Sequence, residues 1–221
     1  MGNFPTFPVK GKLKMSPDNI LNYRINVSEE KGHAGYYEAM VQEDIKAKLT
    51  VTERTGMASY EYPADQQYGT IIIGGGISAT PIEQAAIVIT APNKCEGYAE
   101  GGNFCGLRTP YKVYFVAEFD TDAFETGTWK REELMPNTTF AEGEYSGVYF
   151  TFDVNKKKNI QYKIGVSYVS VENARENLKA ENTGWDFLQI QNQAESKWNH
   201  YLGKILSLIH ISEPTRLLSI S

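Results

Sequence analysis

The sequence predicts a mainly β protein, an antiparallel β-sandwich followed by two C-terminal helices, and three features carry that prediction. Several separate runs alternate apolar and polar residues at period two, the pattern of strands with one face on a core. Aromatic residues make up 12% of the chain, with 14 Tyr, 10 Phe and 3 Trp, and such side chains favour pleated, half-buried surfaces. After Ser170 the apolar spacing changes to that of a helix.

Taken in order, residues 36–42 form the first weak strand candidate, followed by Ile45-Lys46-Ala47-Lys48-Leu49-Thr50-Val51-Thr52. Every odd position of this second run is apolar and every even one polar, so one face is expected to pack inward while lysines and threonines meet water. Residues 56–62, 69–73 and 85–91 are further candidates, separated by Gly, Pro and Asp clusters that make turns. Residues 111–119 keep the odd-position rule with a less polar outer face, as for a central strand covered on both sides. Val148, Phe150, Phe152 and Val154 mark another strand. Ile160, Tyr162, Ile164, Val166 and Tyr168 mark its expected hairpin partner across the polar turn 155–159. About eight strands imply a sandwich or barrel.

Ser170 is a good N-cap, Glu172 complements a helix N-terminus, and Val171, Ala174 and Leu178 fall at helical spacing before Asn182-Thr183-Gly184. Thr183-Gly184-Trp185-Asp186 reads as a capping box for a second helix. Its apolar stripe is Phe187, Ile190, Ala194, Trp198, Leu202 and Ile205. The stripe needs a partner surface, so a β-body with a helical connector is expected over residues 1–169 and 170–205.

A chain of 221 residues is long enough to bury a core without staples. Its 22 Lys+Arg against 27 Asp+Glu leave a net charge of −5, which gives no electrostatic basis for nucleic acid or an anionic membrane. No stretch reaches the ~20 apolar residues of a membrane helix. Met1 is followed by Gly2-Asn3-Phe4-Pro5, so no signal peptide is expected in the sequence as given. Cys95 and Cys105 fall in one Gly-rich segment read as a loop, where a local disulfide and two free thiols are both compatible.

Motifs that carry chemistry are sparse. Ile71-Ile72-Ile73-Gly74-Gly75-Gly76-Ile77-Ser78-Ala79 matches a dinucleotide fingerprint in form, but no βαβ alternation surrounds it, and a Gly-rich turn between strands is expected. Asp120-Thr121-Asp122 resembles the opening of a calcium loop, yet Phe124 occupies the next ligand position, so a strand-end turn is expected. Asn26 and Asn137 begin sequons that are assigned no function. His33 sits in a polar segment read as a strand-entry loop, 29–37, and His200 lies on the last helix. Neither has a second ligand at zinc spacing.

Leu206-Ser207-Leu208-Ile209-His210-Ile211-Ser212-Glu213-Pro214-Thr215-Arg216 resembles a translated sequencing-library adapter. Residues 206–221 are therefore expected to be non-native and are excluded from fold reasoning.

Several spaced blocks resemble the N-terminal domain of glycoside hydrolase family 92, the exo-acting α-mannosidases. The strongest runs from Tyr162 to Leu178, including Ser167-Tyr168-Val169-Ser170-Val171-Glu172-Asn173-Ala174, and continues through Trp185-Asp186-Phe187 and Ala194-Glu195-Ser196-Lys197-Trp198-Asn199. Ala34-Gly35-Tyr36-Tyr37, residues 47–56 and Tyr114-Phe115-Val116-Ala117-Glu118-Phe119 support it. The resemblance implies a galactose-mutarotase-like supersandwich whose helices lead to a larger catalytic α/α-toroid. It further implies a calcium-dependent, inverting parent enzyme acting on mannose-containing glycans, in the periplasm, at the cell surface or secreted. Within the family the acid, base and calcium ligands come chiefly from the toroid, which would follow Ile205, while subsite-lining segments would precede Met1. No catalytic or metal residue is therefore carried over, substrate-binding residues stay unassigned, and a fragment inactive alone is expected. The alternative is a free-standing carbohydrate-binding sandwich.

Overall fold

The computed structural model describes residues 3–17, 26–75, 82–102 and 109–204. They build two antiparallel sheets. In the five-stranded sheet the order is β1 (Thr6–Lys10), β6 (Tyr68–Gly74), β13 (Ser146–Asp153), β10 (Glu125–Lys130), β11 (Glu133–Pro136). The nine-stranded sheet runs β12 (Phe140–Glu142), β7 (Ile82–Ala91), β8 (Lys94–Gly101), β9 (Tyr111–Phe119), β14 (Asn159–Ser167), β5 (Thr55–Glu61), β4 (Ile45–Val51), β3 (Tyr36–Val41), β2 (Val27–His33). Helices α1 (Val171–Glu181) and α2 (Phe187–Leu202) lie on the outer face of the larger sheet.

The sheets meet over one apolar core. Ile71, Ile73, Val148, Phe150 and Phe152 of the smaller sheet face Tyr60, Ile87, Phe115, Phe119 and Tyr162 of the larger. Phe119 alone packs its ring against Phe150, Phe152 and Tyr162 at 4.7, 5.1 and 5.3 Å, within the range in which aromatic pairs add to simple burial. The smaller sheet also buries its other face, where Phe7, Val9, Ile72, Trp129 and Tyr149 form a second cluster with Leu13 and Leu134. Strand β13 is buried on both faces, and it shows no polar alternation for the same reason.

The sandwich and both helices agree with the sequence reading, and β9 lies well inside the large sheet as expected. Five details differ. First, β13 and β14 are not a hairpin: β13 pairs with β6 and β10, β14 with β5 and β9, and residues 154–158 arch from one sheet to the other. Period-two patterning sets faces, and it does not say which sheet a strand joins.

Second, the inside-outside rule of β4 holds through Ala47 and then reverses. Leu49 and Val51 are exposed while Thr50 is buried, its hydroxyl donating to the Gly35 carbonyl at 2.8 Å. The smaller sheet no longer covers the odd face there, and α2 packs on β4 from the even side. Third, the segment around Glu30 and His33 is not a loop but the edge strand β2, exposed throughout and bulged between Ser28 and Lys31. An edge strand carrying charge, with no face on a core, has no period to detect. Fourth, Cys95 lies in β8 rather than in a loop, fully buried and unpaired in the main core; Cys105 falls outside the described residues. Fifth, α2 is capped by Asp186, whose carboxylate accepts from the Gln189 N–H at 3.0 Å, and not by Thr183.

Ser170 caps α1 as predicted, accepting from the Asn173 N–H at 3.1 Å. The Gly74-Gly75 pair closes β6, which is flanked on both sides by antiparallel partners rather than by a βαβ unit. The rest of that glycine run, Ile205 and the adapter-like residues 206–221 lie outside the described residues.

Candidate functional site

Two glycines let the helices approach the sheet. At Gly165 of β14 an added Cβ would stand 2.5 Å from the Ala174 carbonyl oxygen and 2.9 Å from Leu178 Cβ, so α1 rests directly on the strand. Gly35, between β2 and β3, has φ +90°, which suits glycine, and its position against Ala194 would leave a Cβ 3.1 Å from that residue. The hairpin tip is thereby set against α2. His33 Nε2 lies 3.4 Å from Glu195 Oε1, and the Tyr36 ring meets Phe187 edge-on at 6.4 Å.

Between the helices, the turn 182–186 is tied to the sheet from two sides. The Glu181 carboxylate accepts from the Thr52 hydroxyl at 2.5 Å, the Arg54 N–H at 2.9 Å and Arg54 Nε at 2.5 Å. Burial pushes its pKa up, but those donors outweigh burial and leave it lowered. The Asn182 carbonyl accepts from Lys163 Nζ at 3.1 Å, and that ammonium stands 4.4 Å from the Trp185 ring centroid and 3.7 Å from Glu118 Oε2. Desolvation lowers the Lys163 pKa against the opposing pull of Glu118.

Beyond this elbow the buried residues of α2 are Ile190 and Ala194, and from Ser196 onward every described residue is exposed. The apolar stripe predicted for α2 is real, but Trp198 and Leu202 overhang the sheet with 47% and 57% of their surface exposed. The overhang, the end of α1 and the β4–β5 turn enclose a groove of about 770 Å³, with Val51, Ala180, Ala194, Trp198 and Tyr201 as its apolar lining. Its charged residues are already matched, Arg54 with Glu181 and Lys197 with Glu53. A groove whose charges satisfy one another and whose remaining lining is apolar suits an apolar protein ridge better than a polar ligand.

The same chemistry makes Glu181 a poor general acid. A general acid working near neutrality needs a carboxyl raised above its ordinary range. In the groove Glu181 is shifted the other way, the Thr52 and Arg54 donors overcoming burial to hold it low. Among the described residues no three His, Cys, Asp or Glu side chains are grouped as a metal ion would require. The Asp120 turn is engaged otherwise, Oδ1 accepting from the Gln161 N–H at 3.1 Å and Oδ2 pairing with Lys157 at 2.7 Å. These residues do not fit a calcium site. His200 is exposed in the last turn of α2, against the Tyr201 ring, and Asn137 is exposed at a positive φ of 60°.

Sequence reading singled out neither Lys163 nor the Thr52, Arg54 and Glu181 cluster. On β14 Lys163 takes the face opposite Tyr162 and Ile164, which alternation sends to solvent. Gly165, two residues on and on that same face, was the available signal that something lies close above.

The family model described as the glycosyl hydrolase family 92 N-terminal domain matches residues 1–167. The chain belongs to that family. A curated relative, an uncharacterized secreted glycosidase of Arthroderma benhamiae, is 24% identical over 230 residues, which cover 93% of this chain and 30% of that protein. Among solved structures, the family 92 inverting mannosidase BT2199 of Bacteroides thetaiotaomicron aligns with a TM-score of 0.77 at 24% identity, over 91% of this chain and 26% of its own. The family 92 glycosyl hydrolase ccman5 aligns with a TM-score of 0.82 at 21% identity, over 94% of this chain and 29% of its own. At such identities the structural likeness establishes the fold. The family 92 chain thus spans less than a third of the length of each of these relatives. Among its described residues no helix is long and apolar enough to cross a membrane.

Proposed function

We propose that this family 92 chain is the N-terminal domain of an exo-acting α-mannosidase and contributes scaffold and substrate-shaping surface rather than the reacting groups. One observation carries the reading: an apolar, charge-matched groove and helix overhang stand uncovered on a domain whose relatives are more than three times its length. Burying Trp198, Tyr201 and Leu202 against a further domain of the same polypeptide, an α/α-toroid, removes that exposure. In this division residues 1–169 are the sandwich, 170–205 the helical connector and 206–221 adapter translation, which resequencing the uninterrupted reading frame checks.

The parent reaction would be inverting hydrolysis of terminal α-mannosides. One carboxylic acid protonates the leaving oxygen and a second carboxylate, ~6.5–9.5 Å away, activates water on the opposite face. Both carboxyls, and the ligands for a calcium ion, belong in this reading to the remainder of the parent. The description of the fungal relative as secreted supports an exported parent.

The test is an assay of the purified chain on an aryl α-mannoside with calcium present. No turnover is expected, and robust turnover overturns the division of labour. Calorimetric titration with mannan distinguishes the rival, a free-standing sugar-binding module, because saturable binding by this chain alone would favour it.

A further inference from the structure

Lys163 is the one charged residue among the described residues whose whole residue is buried, at 5% exposed. An ammonium in such a place is an expensive choice, since an apolar side chain of similar volume is often no less stable. Asn182, which Lys163 holds by its carbonyl, adds a second cost: the residue is fully buried and both polar atoms of its side chain lack a partner. A turn selected for stability alone would carry neither feature.

What the two residues do together is fix a direction. α2 buries only Ile190 and Ala194 on the sheet, and in its last two turns every residue is exposed and the pair of Lys197 with Glu53 is a surface contact, which together do little to define its angle. The elbow supplies the missing constraint at consecutive positions, Glu181 drawn to the β4–β5 turn and Asn182 drawn to β14, with the Trp185 ring lying over the lysine between them. Two anchors, one on the β4–β5 turn and one on β14, hold the end of α1, and the Trp185 ring on Lys163 adds a third point just before α2 begins.

We infer that Lys163, with Glu181, is a positioning residue that sets the angle at which α2 leaves the sandwich and so the shape of the groove. Its importance to an enzyme rests on the docking reading above, but the clamp itself is a property of this chain and is tested without a partner.

The experiment is hydrogen–deuterium exchange with mass spectrometry on the full 221-residue chain and its Lys163→Met and Lys163→Arg variants, with melting temperatures measured in parallel. Lys163→Met keeps the apolar stem and removes charge and donors. It is expected to speed exchange of the amides in 190–201 at least about fivefold, with β6 and β13 unchanged and the melting temperature little altered, while Lys163→Arg restores slow exchange. Wild-type exchange in α2 of the methionine variant overturns the inference. If Lys163→Met loosens strands and helix alike, Trp185→Leu serves as the second variant, removing the cover but not the amine. Loosening confined to α2 then supports the clamp, and uniform loosening reduces Lys163 to an ordinary core residue and overturns it. Failure of the mannoside or mannan experiments leaves these outcomes untouched, so the two readings fall separately.

Discussion

Replacing Gly165 by alanine tests whether α1 is seated on β14 as closely as the structure shows. The new Cβ would lie 2.5 Å from the Ala174 carbonyl oxygen, 2.9 Å from Leu178 Cβ and 3.2 Å from the Leu178 nitrogen, where ordinary contact begins near 3.4 Å. Two of those three atoms are backbone, so no side chain can swing aside, and α1 must retreat by about an ångström. That movement opens the packing of Ala174 and Leu178 on Val116, all at most 4% exposed. A gap of this size forfeits a quarter to a half of the dispersion attraction, and overpacking of this kind costs about 1–3 kcal/mol. The loss of glycine's freedom in the unfolded chain returns about 0.4–1 kcal/mol. The net is about 1–2 kcal/mol, or roughly 2–8 °C in melting temperature for a chain of this size. Thermal unfolding followed by circular dichroism measures it, with Gly184→Ala as the control, because the nearest atom to a Cβ there is the Asp186 nitrogen at 4.0 Å. A Gly165→Ala protein that melts within 1 °C of the control would refute the close seating.

Glu181→Gln is expected to weaken the elbow by about 1–2 kcal/mol at neutral pH, a bond to a partly exposed carboxylate being screened. Because the folded-state pKa is lowered, this contribution is present above the ordinary carboxylate value near 4.5 and is lost as the pH falls through the folded value. The difference in melting temperature between wild type and variant should therefore shrink below pH 4, and a constant gap would contradict the ion pair. Trp198→Ser with Tyr201→Ser should leave the melting temperature of this chain within about 3 °C, since both side chains are half exposed; a larger fall would mean that the overhang is already packed. Cys95, whose thiol burial pushes strongly upward, should resist iodoacetamide at pH 8 until urea unfolds the chain, as peptide mass mapping reads out.

The parts of the fold most legible in the sequence are those whose large apolar side chains either alternate along a strand or fill a short run bounded by turn residues. Residues 36–42 and 85–91 fall on β3 and β7, where alternation reports one buried face, while 56–62 and 69–73 fall on β5 and β6, buried on both faces and marked instead by the Gly, Pro and Asp clusters around them. The remaining strands were missed: β1 is short, and β8 alternates, but its buried face of Cys95, Gly97, Ala99 and Gly101 carries no large apolar side chain. β2 is exposed on both faces, β11 and β12 are four and three residues long, and β10 reads Glu-Thr-Gly-Thr-Trp-Lys, with Trp129 turned away from the main core into the second cluster. The hairpin proposed for β13 and β14 failed for a related reason: two neighbouring strands with matching periods satisfy a hairpin and a sheet-to-sheet arch equally well.

The elbow was illegible because it depends on a third layer. Alternation places Lys163 in solvent, and it would be there if the nine-stranded sheet had a bare outer face. The helices cover that face, so an outward lysine becomes a buried one, just as the outward Thr50 becomes a buried hydroxyl beneath α2. Once covered, an ammonium must find acceptors or lose its charge, and the acceptors supplied are the end of α1 and Glu118, with the Trp185 face beside them. Polar residues on the outer face of the large sheet therefore do directional work that apolar ones cannot, since an apolar contact tolerates sliding and a donor aimed at a single carbonyl does not. The same distinction separates the two halves of α2. Its first half is aimed by hydrogen bonds made at Glu181 and Asn182, while in its second half, past the surface pairs of Glu195 with His33 and Lys197 with Glu53, the apolar side chains Trp198, Tyr201 and Leu202 stay exposed and open to a partner surface.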